Sequence, residues 1–260
     1  MQRVIAVLNQ KGGVGKTTTA VNVAAYLGKG GASVLLIDLD PQGNATSGLG
    51  VDKLSLEGTS YQALVDDAAF ETVAMQTDTP GVTLIPTNAD LAGVEVQLAG
   101  VEKREAKLRN FIHTAAASHQ YDYVLIDCPP SLGLLTVNAL TASSDVLIPV
   151  QTEYYAMEGL SQLIQVIQRV QQGLNPTLQI LGVVMTMYDG RTSLSEQVKA
   201  EITRVFGDLV FNTVIPRNVR LAEAPSHGKS IMQYDKWSKG ARAYKALAKE
   251  IRERIHGENK

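Results

Sequence analysis

Short runs of β-branched and leucine residues recur along the chain, and most are apolar at every position instead of at alternate ones. Val4–Leu8, Val34–Asp38, Val82–Pro86, Tyr123–Asp127, Val146–Val150, Leu181–Thr186 and Val210–Val214 read as strands of this kind. A continuously apolar strand is one covered on both faces. Between them the apolar positions take helical spacing, at Thr17–Gly28, Leu134–Ala142, Gly159–Gln172 and Ser195–Phe206. This alternation predicts an α/β fold: a doubly wound, mostly parallel sheet with helices on both faces and right-handed crossovers. In such a sheet ligands bind beyond the carboxyl ends of the strands. No repeat or linker interrupts the pattern, so residues 1–260 are expected to form a single domain. The pattern defines Leu49–Gln76 least.

The last helical stretch, ARAYKALAKEIRERI, places Tyr244, Leu247, Ile251 and Ile255 on one stripe at spacings of three and four. Its other faces are basic, as in helices that lie on membranes. The stripe holds no Phe or Trp, and polar HGENK follows it. Packing against the sheet is therefore the expectation, with no membrane attachment. No apolar stretch approaches the roughly 18 residues of a membrane span, and a strand-like run follows Met1 without a cleavable signal.

With 260 residues, 45% of them hydrophobic, the chain can bury one large core. Its single cysteine, Cys128, excludes an internal disulfide and fits a reducing cytoplasm. Two subunits would still fall short of the four thiolates of an iron–sulfur cluster. A small buried core residue is its expected role. The formal net charge of -2 argues against constitutive nucleic-acid binding, but the charge is unevenly spread. Residues 1–130 carry nine Lys/Arg against fourteen Asp/Glu, whereas residues 217–254 carry ten against four. The basic segment is either a solvated helix face or a face for a polyanion.

The chemistry concentrates behind the first strand, in NQKGGVGKTTTA, residues 9–20. Gly12, Gly13 and Gly15 let backbone N–H groups turn inward around phosphate oxygens, and the following helix adds its positive N-terminus. In this P-loop pattern Lys16 reaches the β- and γ-phosphates and the Thr17 hydroxyl binds Mg²⁺. The stretch Gly12–Thr18, with Val14 and Thr18, is the expected ATP-binding segment. Gln10 stands where the usual pattern opens with glycine, and a second lysine, Lys11, follows it. Two strand ends add carboxylates. VLLIDLDPQGN sets Asp38 and Asp40 beside the loop, and YVLIDCPP has the form of a Walker B carboxylate at Asp127. Asp127 would act on Mg²⁺ through water. Asp40, in a turn leading to proline, is placed to orient an attacking water or to cap the turn.

The stretches NQKGGVGKTTTAVNVA, LLIDLDPQGNATSGLG, YDYVLIDCPPSLGLLTVNALTASSDVLIPVQTEYYAMEGLSQL and VIPRNVRLAEAPSHGKSI resemble the ParA/Soj family of chromosome- and plasmid-partitioning ATPases, across nearly the whole chain. The family has a P-loop NTPase fold of the deviant Walker A class, which also includes MinD-like membrane-associated ATPases. The resemblance implies that Lys11 is the signature lysine, reaching across a homodimer to the partner's ATP. It implies Asp40 as the water-positioning residue, Asp127 as an indirect Mg²⁺ ligand, and Pro216 and Asn218 as adenine contacts. Arg191, Arg217 and Arg220 fall near surfaces used for non-specific double-stranded DNA, although Arg217 could instead shape the adenine pocket. A ParB-like centromere-binding partner and a cytoplasmic, nucleoid-associated location follow from the same resemblance. A MinD-like positioning ATPase is the alternative.

Overall fold

The computed structural model describes residues 2–153 and 156–257. Its strands are β1 (Arg3–Val7), β2 (Val34–Asp38), β3 (Met75–Gln76), β4 (Val82–Ile85), β5 (Tyr123–Asp127), β6 (Asp145–Gln151) and β7 (Gln179–Thr186). They form one sheet in the order β3-β4-β2-β5-β1-β6-β7. Every pairing is parallel except the two-residue contact of β3 with β4. The longer helices are α1 (Lys16–Lys29), α2 (Lys107–Ser118), α3 (Leu134–Ala142), α4 (Ala156–Gly173), α5 (Ser193–Phe206) and α6 (Lys239–His256).

The continuously apolar strands are covered on both faces, as expected. Val4, Ala6, Leu35, Ile37, Val124 and Ile126 pack in one core with side chains of α2, α3 and α4. The alternate residues Ile5, Val7, Leu36 and Leu125 pack in the other, against α1 and α6. Each fully buried aliphatic side chain contributes about 1.5–3 kcal/mol relative to exposure. The final helix docks as its stripe implies, with Tyr244, Leu247 and Ile251 essentially inaccessible. Glycine permits α1 to approach the sheet closely. A Cβ on Gly28 would lie 2.2 Å from the Pro80 carbonyl oxygen.

The sheet differs from the expected one at both edges. Val210–Val214 is not a strand. It runs beside β7 and touches it at an isolated Val183–Val210 bridge, with Phe211 N–H donating to Val183. The next two amides turn away: Asn212 and Thr213 N–H donate to the two carboxylate oxygens of Glu250 on α6, at 2.7 and 3.0 Å. Glu250 thus takes the Thr213 donor that would have continued the ladder from Phe211, together with the outward-facing Asn212 amide. Met75–Gln76 supplies the seventh strand instead, at the opposite edge.

Candidate nucleotide site

Three strand ends meet at one level. β5 lies between β2 and β1, with Asp127 in register with Asp38 on one side and Val7 on the other. The loop after β1 therefore opens directly above the two aspartates, at the carboxyl edge where ligands of such sheets bind. Gly13 and Gly15 hold φ values of 76° and 85°, which a side chain would strain. Gly12 differs, because it has an ordinary φ and a Cβ there would meet nothing within 4 Å. Within one subunit, nothing demands glycine at position 12.

The two loop lysines occupy different surroundings. Lys16, the first residue of α1, is 6% exposed. Burial lowers its pKa, opposed by the charges of Asp127 and Asp40. Its ammonium donates to the Lys11 carbonyl at 3.1 Å, filling the space inside the loop. The Lys11 side chain points outward, 41% exposed, and is ion-paired with Glu153 just beyond β6. The other Glu153 oxygen accepts from the Gln151 carboxamide. Asn9 fastens the loop base by donating to the Pro149 carbonyl at 2.7 Å and accepting from Lys11 N–H at 3.0 Å.

The buried carboxylates also differ. Asp38 is saturated: Asp40 N–H donates to Oδ1 at 3.2 Å, and Thr46 N–H and hydroxyl donate to Oδ2 at 2.8 and 2.7 Å. The Thr46 hydroxyl also accepts from Thr87 N–H at 3.0 Å. Asp38 thus ties β2 to the short helix Asn44–Gly48 and the end of β4, while burial raises its pKa to about 6. Asp127 is equally buried, but among the described residues neither oxygen has a partner in hydrogen-bonding geometry. Burial, and then the Asp38 charge, push its carboxyl well above the usual range, opposed by the Thr17 hydroxyl and Lys16. Unpaired buried oxygens are costly unless something fills their need. A hydrated divalent cation, held from the other side by Thr17, is the group these donors suit. Asp40 is 7% exposed, and its Oδ1 accepts from Gln42 N–H at 3.0 Å.

Beside the loop lies an apolar cavity of about 350 Å³, lined by Gly15, Thr18, Thr186, Pro216, Asn218 and Tyr244 among others. The Thr186 hydroxyl donates to the Val14 carbonyl at 2.8 Å, and the Tyr244 and Thr19 hydroxyls are 3.1 Å apart. The Asn218 carboxamide oxygen is buried without a partner among the described residues. Volume, apolar walls and one unsatisfied acceptor suit a purine with an amino group. Met187, with φ 50°, also lines it and marks a sharp exit from β7. A larger cleft of about 820 Å³ lies at the opposite end of the sheet, where facing charges such as Arg3–Asp145 and Arg254–Glu250 pair with each other.

Lys16, Asp40, Asp127, Thr17 and Thr18 are thus assembled around one loop, with Pro216 and Asn218 in the cavity beside it. Arg217 lines that cavity too. Arg191 and Arg220 lie outside it, each engaged by carboxylates: Arg191 doubly by Asp189 at 2.8 and 2.7 Å, Arg220 by Glu223 at 2.8 Å. Sequence reasoning missed Thr186, Met187, Tyr244 and Glu153. Tyr244 reads in sequence only as a member of an apolar stripe, and Glu153 carries no motif.

Comparison with known proteins agrees with this geometry. A family model described as an AAA domain matches residues 2–180. The Bacillus subtilis sporulation initiation inhibitor protein Soj is 54% identical over 251 residues, 96% of this chain and 98% of that protein. The Thermus thermophilus chromosome-partitioning ATPase Soj is 51% identical, covering 97% and 96%. The chain belongs to the ParA/Soj family of chromosome-partitioning ATPases. A solved Mycobacterium smegmatis structure is 40% identical with a TM-score of 0.86, covering 100% of this chain and 98% of that one. It bears the name cobyrinic acid a,c-diamide synthase and holds ADP and magnesium. As a ParA/Soj family member the chain is an ATPase. No helix among the described residues is long and apolar enough to cross a membrane.

Proposed function

We propose that this ATPase is a dimerising switch for chromosome or plasmid partitioning, with the whole chain acting as one P-loop domain. The observation that carries the reading is the outward-facing lysine beside an unobstructed glycine. Lys16 already faces the inside of the loop, so Lys11 is not needed to hold a nucleotide there. Its exposed ammonium is suited to the phosphates of an ATP in a second subunit. Two ATP-laden faces repel, and each lysine would offset the other subunit's phosphate charge. Gly12 leaves room for that approach.

The residues divide the work. Gly12, Gly13, Val14, Gly15, Lys16, Thr17 and Thr18 hold ATP, and Pro216 and Asn218 hold its base. The Asn218 oxygen accepts from the adenine amino group. Thr17 and Asp127, the latter through water, hold Mg²⁺, which supplies charge neutralisation across the phosphates when bound. Asp40 orients the attacking water, and Lys11 of the partner subunit counters charge developing on the phosphates. Hydrolysis sets the lifetime of the dimer, so intrinsic turnover is slow. The ATP dimer binds double-stranded DNA without sequence preference, through surfaces that include Arg191, Arg217 and Arg220. A ParB-like partner stimulates hydrolysis and releases it. The protein resides on the nucleoid in the cytoplasm.

DNA binding measured with ADP, ATP and a non-hydrolysable analogue tests the switch. Binding is expected with ATP and the analogue and not with ADP. Equal binding in all three states would end the proposal. An ATP-dependent ligase, the reading suggested by the name of the Mycobacterium structure, would instead show turnover that depends on a small second substrate.

A further inference from the structure

We infer that Lys53 is a positioning residue for hydrolysis, holding in place the turn that carries the Asp40 carboxylate. This rests on the reading of Asp40 above and names what keeps its side chain aimed. Asp40, Pro41, Gln42 and Gly43 form a β-turn, closed by Gly43 N–H donating to the Asp40 carbonyl at 2.8 Å. Aspartate favours the first position of such turns, and proline presets the second. The φ of Gln42 is not positive, which fits a type I turn and excludes type II. The Asp40 side chain belongs to the same turn, because its Oδ1 accepts from Gln42 N–H at 3.0 Å. Among the described residues Oδ2 accepts no hydrogen bond, so it is the oxygen open to an attacking water. Where it points is set by where the Gln42 amide lies.

The next peptide unit is gripped at both ends. Its N–H, from Gly43, closes the turn, and its carbonyl, from Gln42, accepts from the Lys53 ammonium at 2.7 Å. Lys53 gets there by lying across Gly43. A Cβ on Gly43 would stand 2.5 Å from Lys53 Cδ and 3.1 Å from the Thr87 carbonyl oxygen. Gly43 also holds φ 62°, so both conformation and room demand glycine. That freedom is a weakness as well, since glycine adopts many other conformations. Without an outside hold the Gln42–Gly43 peptide can rotate, which opens the turn and releases Oδ1.

Lys53 is itself anchored. On one side of it Val51 N–H donates to the Thr46 carbonyl at 3.2 Å, and Thr46 is the residue that binds Asp38. The Asp52 carboxylate accepts from Leu54 N–H at 3.0 Å, fixing the bend that carries the lysine. Among the described residues the ammonium has no carboxylate partner; its one hydrogen bond goes to the catalytic turn. A solvent-exposed bond of this kind adds little to global stability. It matters for the reaction, because a carboxylate displaced by about 1 Å from its water can cost up to about a hundredfold in rate.

The test uses the full-length chain and measures single-turnover hydrolysis at saturating Mg²⁺, ATP affinity by titration, and dimerisation by light scattering. Lys53→Met keeps the alkyl stem over Gly43 and removes the donor, whereas Lys53→Arg keeps a donor. Lys53→Met should slow hydrolysis about tenfold, leave ATP affinity within about twofold and prolong the ATP dimer. Lys53→Arg should recover most of the rate. In the Asp40→Ala background Lys53→Met should change nothing further, because the group it acts through is gone. If Asp40→Ala slows hydrolysis and Lys53→Met does not, or if Lys53→Met slows it equally without Asp40, the inference falls while the Asp40 reading stands. A Lys53→Arg protein as slow as Lys53→Met would overturn it too, as would loss of ATP affinity or of the ATP dimer in Lys53→Met. If Asp40→Ala hydrolyses ATP like wild type, the Asp40 reading falls and takes the inference with it.

Discussion

Lys16 and Lys11 are five residues apart in one loop, yet they belong to different regions of the site. Lys16 stands on the floor with Asp38 and Asp127, buried and surrounded by groups of its own subunit. Lys11 stands on the rim, half-exposed, its side chain held among the described residues only through an ion pair that solvent already weakens. Floor residues are fixed before any ligand arrives. The rim lysine can change partners at small cost, trading the Glu153 carboxylate for phosphate. On the proposed reading, binding a nucleotide and sensing a second subunit would be assigned to different degrees of burial.

Substitutions on floor and rim should separate these roles, and the floor should dominate. Lys16→Ala removes the in-subunit cation from the phosphates, a charged hydrogen-bond donor worth about 3 kcal/mol, or roughly a hundredfold in affinity. Titration with a fluorescent ATP analogue measures this, and near-normal affinity would dissolve the distinction between the lysines. Lys11→Ala and Gly12→Val come next. Both should bind ATP within about threefold of wild type, a change under ~1 kcal/mol, and remain monomeric with it in light scattering. An ATP-induced dimer of either would remove that residue from the interface.

Asp40→Ala should have a narrower effect. ATP and Mg²⁺ affinity persist while turnover falls by about 10² or more, and the protein accumulates as an ATP dimer. Loss of ATP binding itself would place Asp40 among the floor residues that hold the ligand. The smallest effect concerns the ligand-free protein. The Asp127 pKa is raised by folding, so its contribution favours the native state at low pH and is lost as pH rises through the folded value. Asp127→Asn should therefore melt above wild type at pH 7.5, with the gap closing towards pH 4. A gap that widens on acidification would contradict the sign.

The floor was readable because its parts are local. Glycines, Lys16 and Thr17 follow one another, and Asp127 ends a run of four apolar residues. Strand–helix alternation also predicted the parallel sheet, since continuous apolar runs have no other comfortable place. What the sequence did not reveal depends on partners distant in the chain. Val210–Val214 has the composition of a strand, but Glu250 claims two of its amides from α6. Met75–Gln76 is too short to produce a period. Thr186 and Tyr244 look like ordinary strand and core residues until the sheet brings them to the loop. Arg191 and Arg220 read as free charges, and only geometry shows the carboxylates holding them.

The Thr19–Tyr244 contact joins residues 225 positions apart, and Thr186 meets Val14 across 172. Closing such intervals costs more chain entropy, and takes longer, than forming the turn of residues 9–17. The turn of the loop can therefore form ahead of the wall that Thr186 and Tyr244 build beside it. A chain that has paired β1, β2 and β5 already possesses the phosphate cradle and the two buried carboxylates. Its base wall arrives only when α6 docks and the 210–218 segment is pinned beside β7. Until then the loop could grip a triphosphate with little regard for the base attached to it, and if the cavity is the base site as proposed, selectivity for adenine would mark the moment at which the molecule has finished folding.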